Sequence, residues 1–376
     1  MYQGKSLQEL ATEVARQRIS KRDFVGPTSN LQMQVVKERI DHPATGPEVP
    51  GGPRVRHEIE MRDTGVRMQI GEVDPFGIDS SAHAQIANRL NIPKKYYDRM
   101  LAESPWLLTQ NVNRWMHDQS EKRLVRTLDG NVRAFLSDRY RPLDNDLVCE
   151  FLIPTLGELG VNIVSCEITH RKLYIKVTLP SLNREIKRGD IVEAGLVAAN
   201  SEIGQGTVSL LPIINRLVCM NGMVINEFGL KKYHLGKALG AVESDQIGEW
   251  FQTDTIRADN KAFMLKLRDA VKGILAEEVF TKITDRMIEA TGHEIEGSPE
   301  KVIEVVKERL DLTEVEGGNV LRHLIKGGDL SMWGVANAVT AEANEATDYD
   351  RATELESAGG KLIELPKDTW REILAA

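Results

Sequence analysis

The residues of this chain that could do chemistry are scattered, and most fail at their spacing. Gly4-Lys5-Ser6 has the ending of a phosphate-binding loop, but the earlier glycine and the strand that must feed such a loop have no room before it. Gly204-Gln205-Gly206 lacks the rest of a dinucleotide fingerprint and reads as a turn between strands. The eight histidines are dispersed, none pairs at the spacing of a zinc-binding helix, and His293-Glu294 lacks the second histidine. No Gly-x-Ser-x-Gly elbow occurs, and Cys149, Cys166 and Cys219 form neither a Cys-x-x-Cys knuckle nor a disulfide framework. Glu185-Ile186-Lys187 is a Glu-x-Lys of the kind that helps hold Mg²⁺ in nucleases. Such sites need an upstream aspartate on a neighbouring strand, and only Glu158 and Glu167 lie in that interval. No catalytic residue, cofactor or metal is therefore assigned, and a metal-dependent nuclease stays as the enzymatic alternative.

Basic residues offer a different chemistry. Between Arg114 and Arg141 seven basic residues stand against four acidic ones, and between Ile168 and Arg188 six stand against Glu185 alone. The second group follows a hairpin pattern. Side chains alternate across a strand, so Lys172, Tyr174 and Lys176 share one face and Leu173, Ile175 and Val177 the other. With the apolar set inward, the lysines would face solvent to meet phosphates and Tyr174 would stack on a base. The expected DNA face comprises Arg133, Arg139, Tyr140, Arg141, Arg171, Lys172, Tyr174, Lys176, Arg184, Lys187, Arg188 and Arg216. An ordinary solvated strand face would show the same charge pattern.

The elements that must position these residues can be read from periodicity and punctuation. Leu7, Leu10, Val14 and Ile19 mark a helix over 7–22, ended by Gly26-Pro27. His57–Arg62 and Val66–Val73, separated by Asp63-Thr64-Gly65, read as a hairpin. Asp79-Ser80-Ser81, Pro93 and Ser104-Pro105 open three successive helices. Strands at 122–128 and 131–137 flank Asp129-Gly130, a preferred two-residue hairpin turn. A helix over 147–159 precedes a second hairpin, 162–169 and 172–179, and two more strands, 190–198 and 207–219. One antiparallel sheet over 122–220, backed by the 147–159 helix, is expected. Beyond Val242 the pattern is helical: 256–275, 277–290, 299–310, 313–325, 331–345, 349–358 and 367–375.

Three segments are distinctive: Phe135–Asn145, Asn215–Met223 with its Asn221-Gly222 turn, and Trp333–Thr340. In this order, and with Lys21–Phe24 and Leu90–Tyr97, they resemble the phage/plasmid-like protein family, a group defined by a domain of unknown function. The resemblance spans nearly the whole chain and implies a host-cytoplasmic protein that deals with DNA. The order hairpin, helix, hairpin and strands leading to Arg216 is also similar to the α+β core of phage single-strand annealing recombinases. Those proteins assemble into rings or filaments and hold DNA in a basic groove without nucleotide hydrolysis.

Composition is that of an ordinary globular chain: 376 residues, 41% hydrophobic and 28% charged, with no apolar run near the length of a membrane span and no secretory signal. Net charge is −8, yet residues 290–376 hold 18 acidic against 9 basic groups, leaving the remainder near neutral. An α+β protein is expected: an N-terminal segment with a small hairpin and helices (1–120), a central antiparallel core (121–245) and an acidic helical region (246–376). Removing the chain from about residue 290 is expected to leave a folded core that binds DNA more strongly. The expected function is single-stranded DNA binding or annealing in recombination or replication by a cytoplasmic homo-oligomer without a cofactor. A regulatory protein, acting on a host or phage partner through the acidic helices, is the non-enzymatic alternative.

Overall fold

Alternating segments pair into two sheets, where one was expected over 122–220. The computed structural model describes residues 4–42, 58–140, 143–206, 208–218, 221–232 and 253–376. By compactness the chain divides into Gln17–Tyr140 and a larger unit, Met1–Arg16 with Arg141–Ala376. These boundaries differ from the expected 1–120, 121–245 and 246–376. The class is α+β, as its residue patterns implied.

The first helix, α1 (Leu7–Ser20), begins at a reciprocal Ser6/Glu9 capping box, and its early residues Leu10 and Val14 belong to the larger unit's core. In the Gln17–Tyr140 unit follow β1 (Arg22–Pro27), β2 (Leu31–His42), β3 (Glu58–Ile70), β4 (Val73–Ile78), α2 (Ser80–Arg89), α3 (Lys94–Glu103), α4 (Pro105–Asp118), β5 (Lys122–Leu128) and β6 (Asn131–Ser137). The sheet order is β1-β5-β6-β4-β3-β2, antiparallel except for the parallel β4–β6 pair. Asp63-Thr64-Gly65, expected as a turn, lies inside the continuous β3. A register shift opposite Val36/Lys37 takes up the extra residue as a bulge. Leu31, Met33, Val66 and Met68 face Ile86, Tyr97, Met100, Leu108 and Val112 from the three helices. The β5–β6 hairpin belongs to this sheet because β1 pairs with β5 from Lys122 to Thr127 and β4 pairs with β6. The Arg-Asp-Phe-Val-Gly-Pro sequence of β1 carries no strand periodicity of its own, so that neighbour was invisible in the sequence.

The larger unit continues with α5 (Asn145–Glu158), β7 (Asn162–Ile168), β8 (Leu173–Lys187), β9 (Asp190–Asn200), β10 (Val208–Arg216), β11 (Asn221–Val224) and β12 (Leu230–Lys232). Its sheet, β11-β10-β9-β8-β7 with β12 also on β10, is antiparallel throughout. Then come α6 (Thr253–Ile274), α7 (Glu277–Thr291), α8 (Pro299–Leu310), α9 (Glu314–Gly327), α10 (Met332–Glu342), α11 (Tyr349–Glu364) and α12 (Lys367–Leu374). Pro299 opens α8 at its first turn, and Thr313 with Glu316 forms a complete capping box on α9.

Both faces of this sheet are covered. Leu173, Ile175, Val177, Leu196 and Leu210 pack with Leu10 and Val14 and with apolar residues of α5 and α6. On the opposite face Tyr174, Val197, Ile213 and Val224 gather with Tyr349 of α11. Ile186, Val192, Ile214 and Met223 join a third cluster with Phe280, Val306, Val320, Val335, Leu355 and Trp370 from α7 to α12. The acidic helical region is thus one of the layers that bury the sheet, not an appendage. Among the described residues no helix is long and apolar enough to cross a membrane.

Candidate functional site

The alternation along β8 is as expected, but what covers its second face is not. Tyr174 is 3% exposed and Lys176 is 0% exposed, both under α11. The Tyr174 hydroxyl donates to Asp350 at 2.7 Å, and its ring lies 5.3 Å from that of Tyr349. Lys176 Nζ donates to Glu356 at 2.6 Å and sits 4.5 Å from the Tyr349 ring centroid. Tyr349 shares a 2.7 Å hydrogen bond with Ser165. Burial pushes the Tyr174 phenol far above its ordinary range, with its bond to Asp350 adding to the shift. Burial likewise raises the Glu356 carboxyl, opposed by the charge of Lys176. The expected DNA face is therefore corrected at Tyr174 and Lys176. A two-residue period says which side chains share a face, and it cannot say whether that face meets water or a helix.

The remaining assigned residues are spread over both units, and in the larger unit three of them are held by acidic partners. Arg184 donates to Asp285, Thr284 and the Thr281 carbonyl on α7, and Lys187 to Asp329. Arg216 grips both oxygens of buried Asp190, at 2.6 and 2.9 Å, and the Trp333 indole N–H donates to the same carboxylate at 2.9 Å. Arg133 is buried within β6. Arg139 and Arg171 are exposed, Tyr140 and Lys172 half-buried, and Arg188 exposed. Arg171 and Lys172 precede β8 and Arg188 follows it, so the strand's 15 residues separate them. Over that stretch the pairing partners on β9 run only from Asn200 to Asp190, so the two ends lie on the order of 35 Å apart. Arg141 lies outside the described residues.

Two of the three distinctive segments meet in packing, Asn215–Met223 with Trp333–Thr340, while the end of Phe135–Asn145 bonds to β9 and the turn after it. Besides the Asp190–Arg216–Trp333 link, Asn221 Nδ2 donates to Thr340 Oγ1 on α10. Asn145 holds Asn200, whose side chain also donates to the Leu143 carbonyl, and the Asn145 N–H donates to Glu202. These bonds tie helices to the sheet. Among the described residues, two groups of ionisable side chains have potential ligand atoms within 4.8 Å of one another: Asp144, Asp146 and Glu202, and His323, Glu342 and Glu345.

A surface that sequence reasoning missed lies in the Gln17–Tyr140 unit. The core stripe of α4 runs through Pro105, Leu108, Thr109, Val112 and Met116. Trp106 falls outside it, and with Gln110 and Arg114 it forms a solvent-facing row at four-residue spacing. Trp115 lies next to Arg114, and the preceding α3 displays Lys94, Lys95, Tyr96 and Arg99 on its exposed side. Tyr96, Trp106 and Trp115 are 49%, 58% and 42% exposed. A cavity of about 420 Å³ at the start of α3 is lined by Asn88, Asn91, Ile92 and Lys94 with neighbouring residues. The signal was available: an indole set apart from the apolar stripe on its helical wheel has nothing in its own helix to bury it.

Comparison with known proteins adds one result. Residues 133–235, from within β6 to beyond β12, match the family model described as Domain of unknown function (DUF932), so the chain carries a domain of an uncharacterised family. No curated protein matches the chain, and no solved structure matches it.

Proposed function

We propose that the protein binds nucleic acid, with single-stranded DNA the expected ligand, through the α3–α4 face and not along β8. One observation carries this reading. Of the four large aromatic side chains left exposed among the described residues, three (Tyr96, Trp106 and Trp115) stand on these two helices, beside Lys95, Arg99 and Arg114. Exposed aromatic rings next to basic side chains are what a sequence-tolerant single-strand site requires, since every base has a face to stack and every nucleotide a phosphate. Arg99 and Arg114 pair with Glu103 and Asp118 one turn away. Such exposed pairs are worth little, so a phosphate can displace the carboxylate. Residues 17–140 carry 19 basic against 16 acidic groups, a net of +3 in a chain of net −8. The resemblance to phage/plasmid-like proteins favours a role with DNA, and the similarity to single-strand annealing recombinases favours recombination or replication, without nucleotide hydrolysis and as a homo-oligomer.

Fluorescence anisotropy with labelled single- and double-stranded oligonucleotides, across a salt series, tests the proposal. Single strands are expected to bind more tightly, quench tryptophan emission, and lose affinity linearly in log salt. Trp106→Ala, Trp115→Ala and Tyr96→Ala should each cost about 1–3 kcal/mol of stacking. The double variant Lys95→Ala/Arg99→Ala should flatten the salt slope by up to about two contacts, while Lys172→Ala leaves it unchanged. Folded protein that ignores DNA at low salt, or that binds equally well without these side chains, would sink the reading. Cleavage on adding Mg²⁺ would replace it with the nuclease alternative.

A further inference from the structure

We propose that His323, Glu342 and Glu345 form a binding site for one divalent transition-metal ion of the Zn²⁺ class, joining α9 to the end of α10. His323 Nε2 lies 3.5 Å from Glu342 Oε2 and 3.3 Å from Glu345 Oε1. Ligands at zinc-like bond lengths of about 2.0–2.2 Å around a tetrahedral centre sit roughly 3.3–3.5 Å from one another, which matches both separations.

The second observation concerns hydrogen bonding. The Glu342 side chain is only 4% exposed, and its Oε2 has no hydrogen-bond partner. His323 Nε2 is buried and equally without a hydrogen-bond partner, although two carboxylate oxygens stand within 3.5 Å of it. A buried acceptor and a ring nitrogen left unpaired side by side each carry a desolvation penalty of about 1–3 kcal/mol. One cation placed between them satisfies both. The far oxygens are already engaged: Glu342 Oε1 accepts from Asn319 Nδ2 at 3.0 Å, and Glu345 Oε2 accepts from Arg322 at 2.5 Å. Those bonds hold each carboxylate so that its other oxygen turns toward His323, the arrangement in which outer partners orient metal ligands.

The ligand set selects the ion. One imidazole and two carboxylates suit zinc and its first-row neighbours, whereas Mg²⁺ and Ca²⁺ prefer oxygen alone. A neutral histidine and two carboxylates cancel the charge of a divalent ion, which resolves the otherwise unfavourable burial of Glu342. Glu345 is the half-exposed member, so it marks the side on which a water would complete the tetrahedron.

The test is titration of the full-length, chelator-treated protein with Zn²⁺, and separately with Co²⁺, by calorimetry and visible absorption. One equivalent should bind, the Co²⁺ complex should show tetrahedral ligand-field bands, and Zn²⁺ but not Mg²⁺ should raise Tm. His323→Gln and Glu345→Gln should each weaken Zn²⁺ binding by at least about 100-fold, and Asn319→Ala by about 10–100-fold. Glu345→Gln alters a partly exposed side chain, so it decides the matter if His323→Gln fails to fold. No stoichiometric Zn²⁺ binding by the parent, or undiminished binding by Glu345→Gln, overturns the site and leaves an ordinary His–Glu ion pair.

Discussion

Lys176 shows how much a single side chain depends on its cover. Its ammonium is wholly buried and is matched by Glu356, while the second Glu356 oxygen has no hydrogen-bond partner. Removing one member of such a pair costs about 3–5 kcal/mol because the other charge stays buried, whereas replacing both with apolar groups is near neutral. Lys176→Met is therefore expected to lower unfolding free energy by about that amount, and Lys176→Met/Glu356→Met to recover most of it. Urea denaturation of the three proteins measures both effects. In the single variant Glu356 loses the cation that opposes its upward pKa shift, so the folded state takes up a proton more readily than the unfolded chain. Its stability should then rise as pH falls toward the carboxylate range, the reverse of a salt-bridged acid. A Lys176→Met protein as stable as the parent would mean that α11 does not cover this face.

At the scale of elements, α11 is pressed against β11. A Cβ on Gly360 would stand 1.9 Å from the Val224 carbonyl oxygen, and one on Gly359 would meet the side chain of Thr340 on α10 at 2.3 Å. Neither glycine is there for helix propensity, which both weaken; they let backbone approach backbone. A Cβ on Gly318, inside α9, would meet nothing within 4 Å. Gly360→Ala should accordingly destabilise by several kcal/mol through enforced separation of α11 from the sheet. Gly318→Ala should stabilise by up to about 1 kcal/mol, the ordinary helical gain. Paired thermal melts decide it, and equal shifts of the same sign would rule out close packing as the cause. Apolar periodicity placed α10 near its observed bounds and found the start of α11, but ended that helix at 358, six residues before Glu364 and just short of the glycine pair. The need for Gly359-Gly360 at their crossing was not legible, because it depends on which strand lies beneath.

At the scale of the whole chain, the acidic C-terminal region is built into the cover of the sheet, so we expect it not to behave as a detachable tail. It supplies Tyr349, Asp350 and Glu356 to the sheet's second face and most of the third apolar cluster. Truncation from about residue 290 would expose Lys176, Tyr174, Ile214 and Met223 to water. The shortened chain is expected to lose cooperative unfolding and to bind hydrophobic dyes, where the sequence alone suggested a folded core with stronger DNA affinity. Circular dichroism melts of the truncated and full-length proteins distinguish these outcomes, and a cooperative melt after truncation would restore the idea of a separable tail.

Local signals were enough for the α+β class, for α2, α3 and α4 behind their Ser and Pro starts, for the β7–β8 hairpin and for the succession of C-terminal helices. Each is decided within a few residues, by periodicity, caps and turn chemistry, and those operate before any distant partner arrives. Tertiary structure decided that β5–β6 joins β1 and β4, that Asp63–Gly65 is a bulge, and that the Lys172–Lys176 face lies largely under α11. It also brought His323 to Glu342 and Glu345 and left Trp106 in water. These outcomes depend on pairings between residues tens to hundreds of positions apart, where many partners satisfy the same alternation and only the packed chain selects among them.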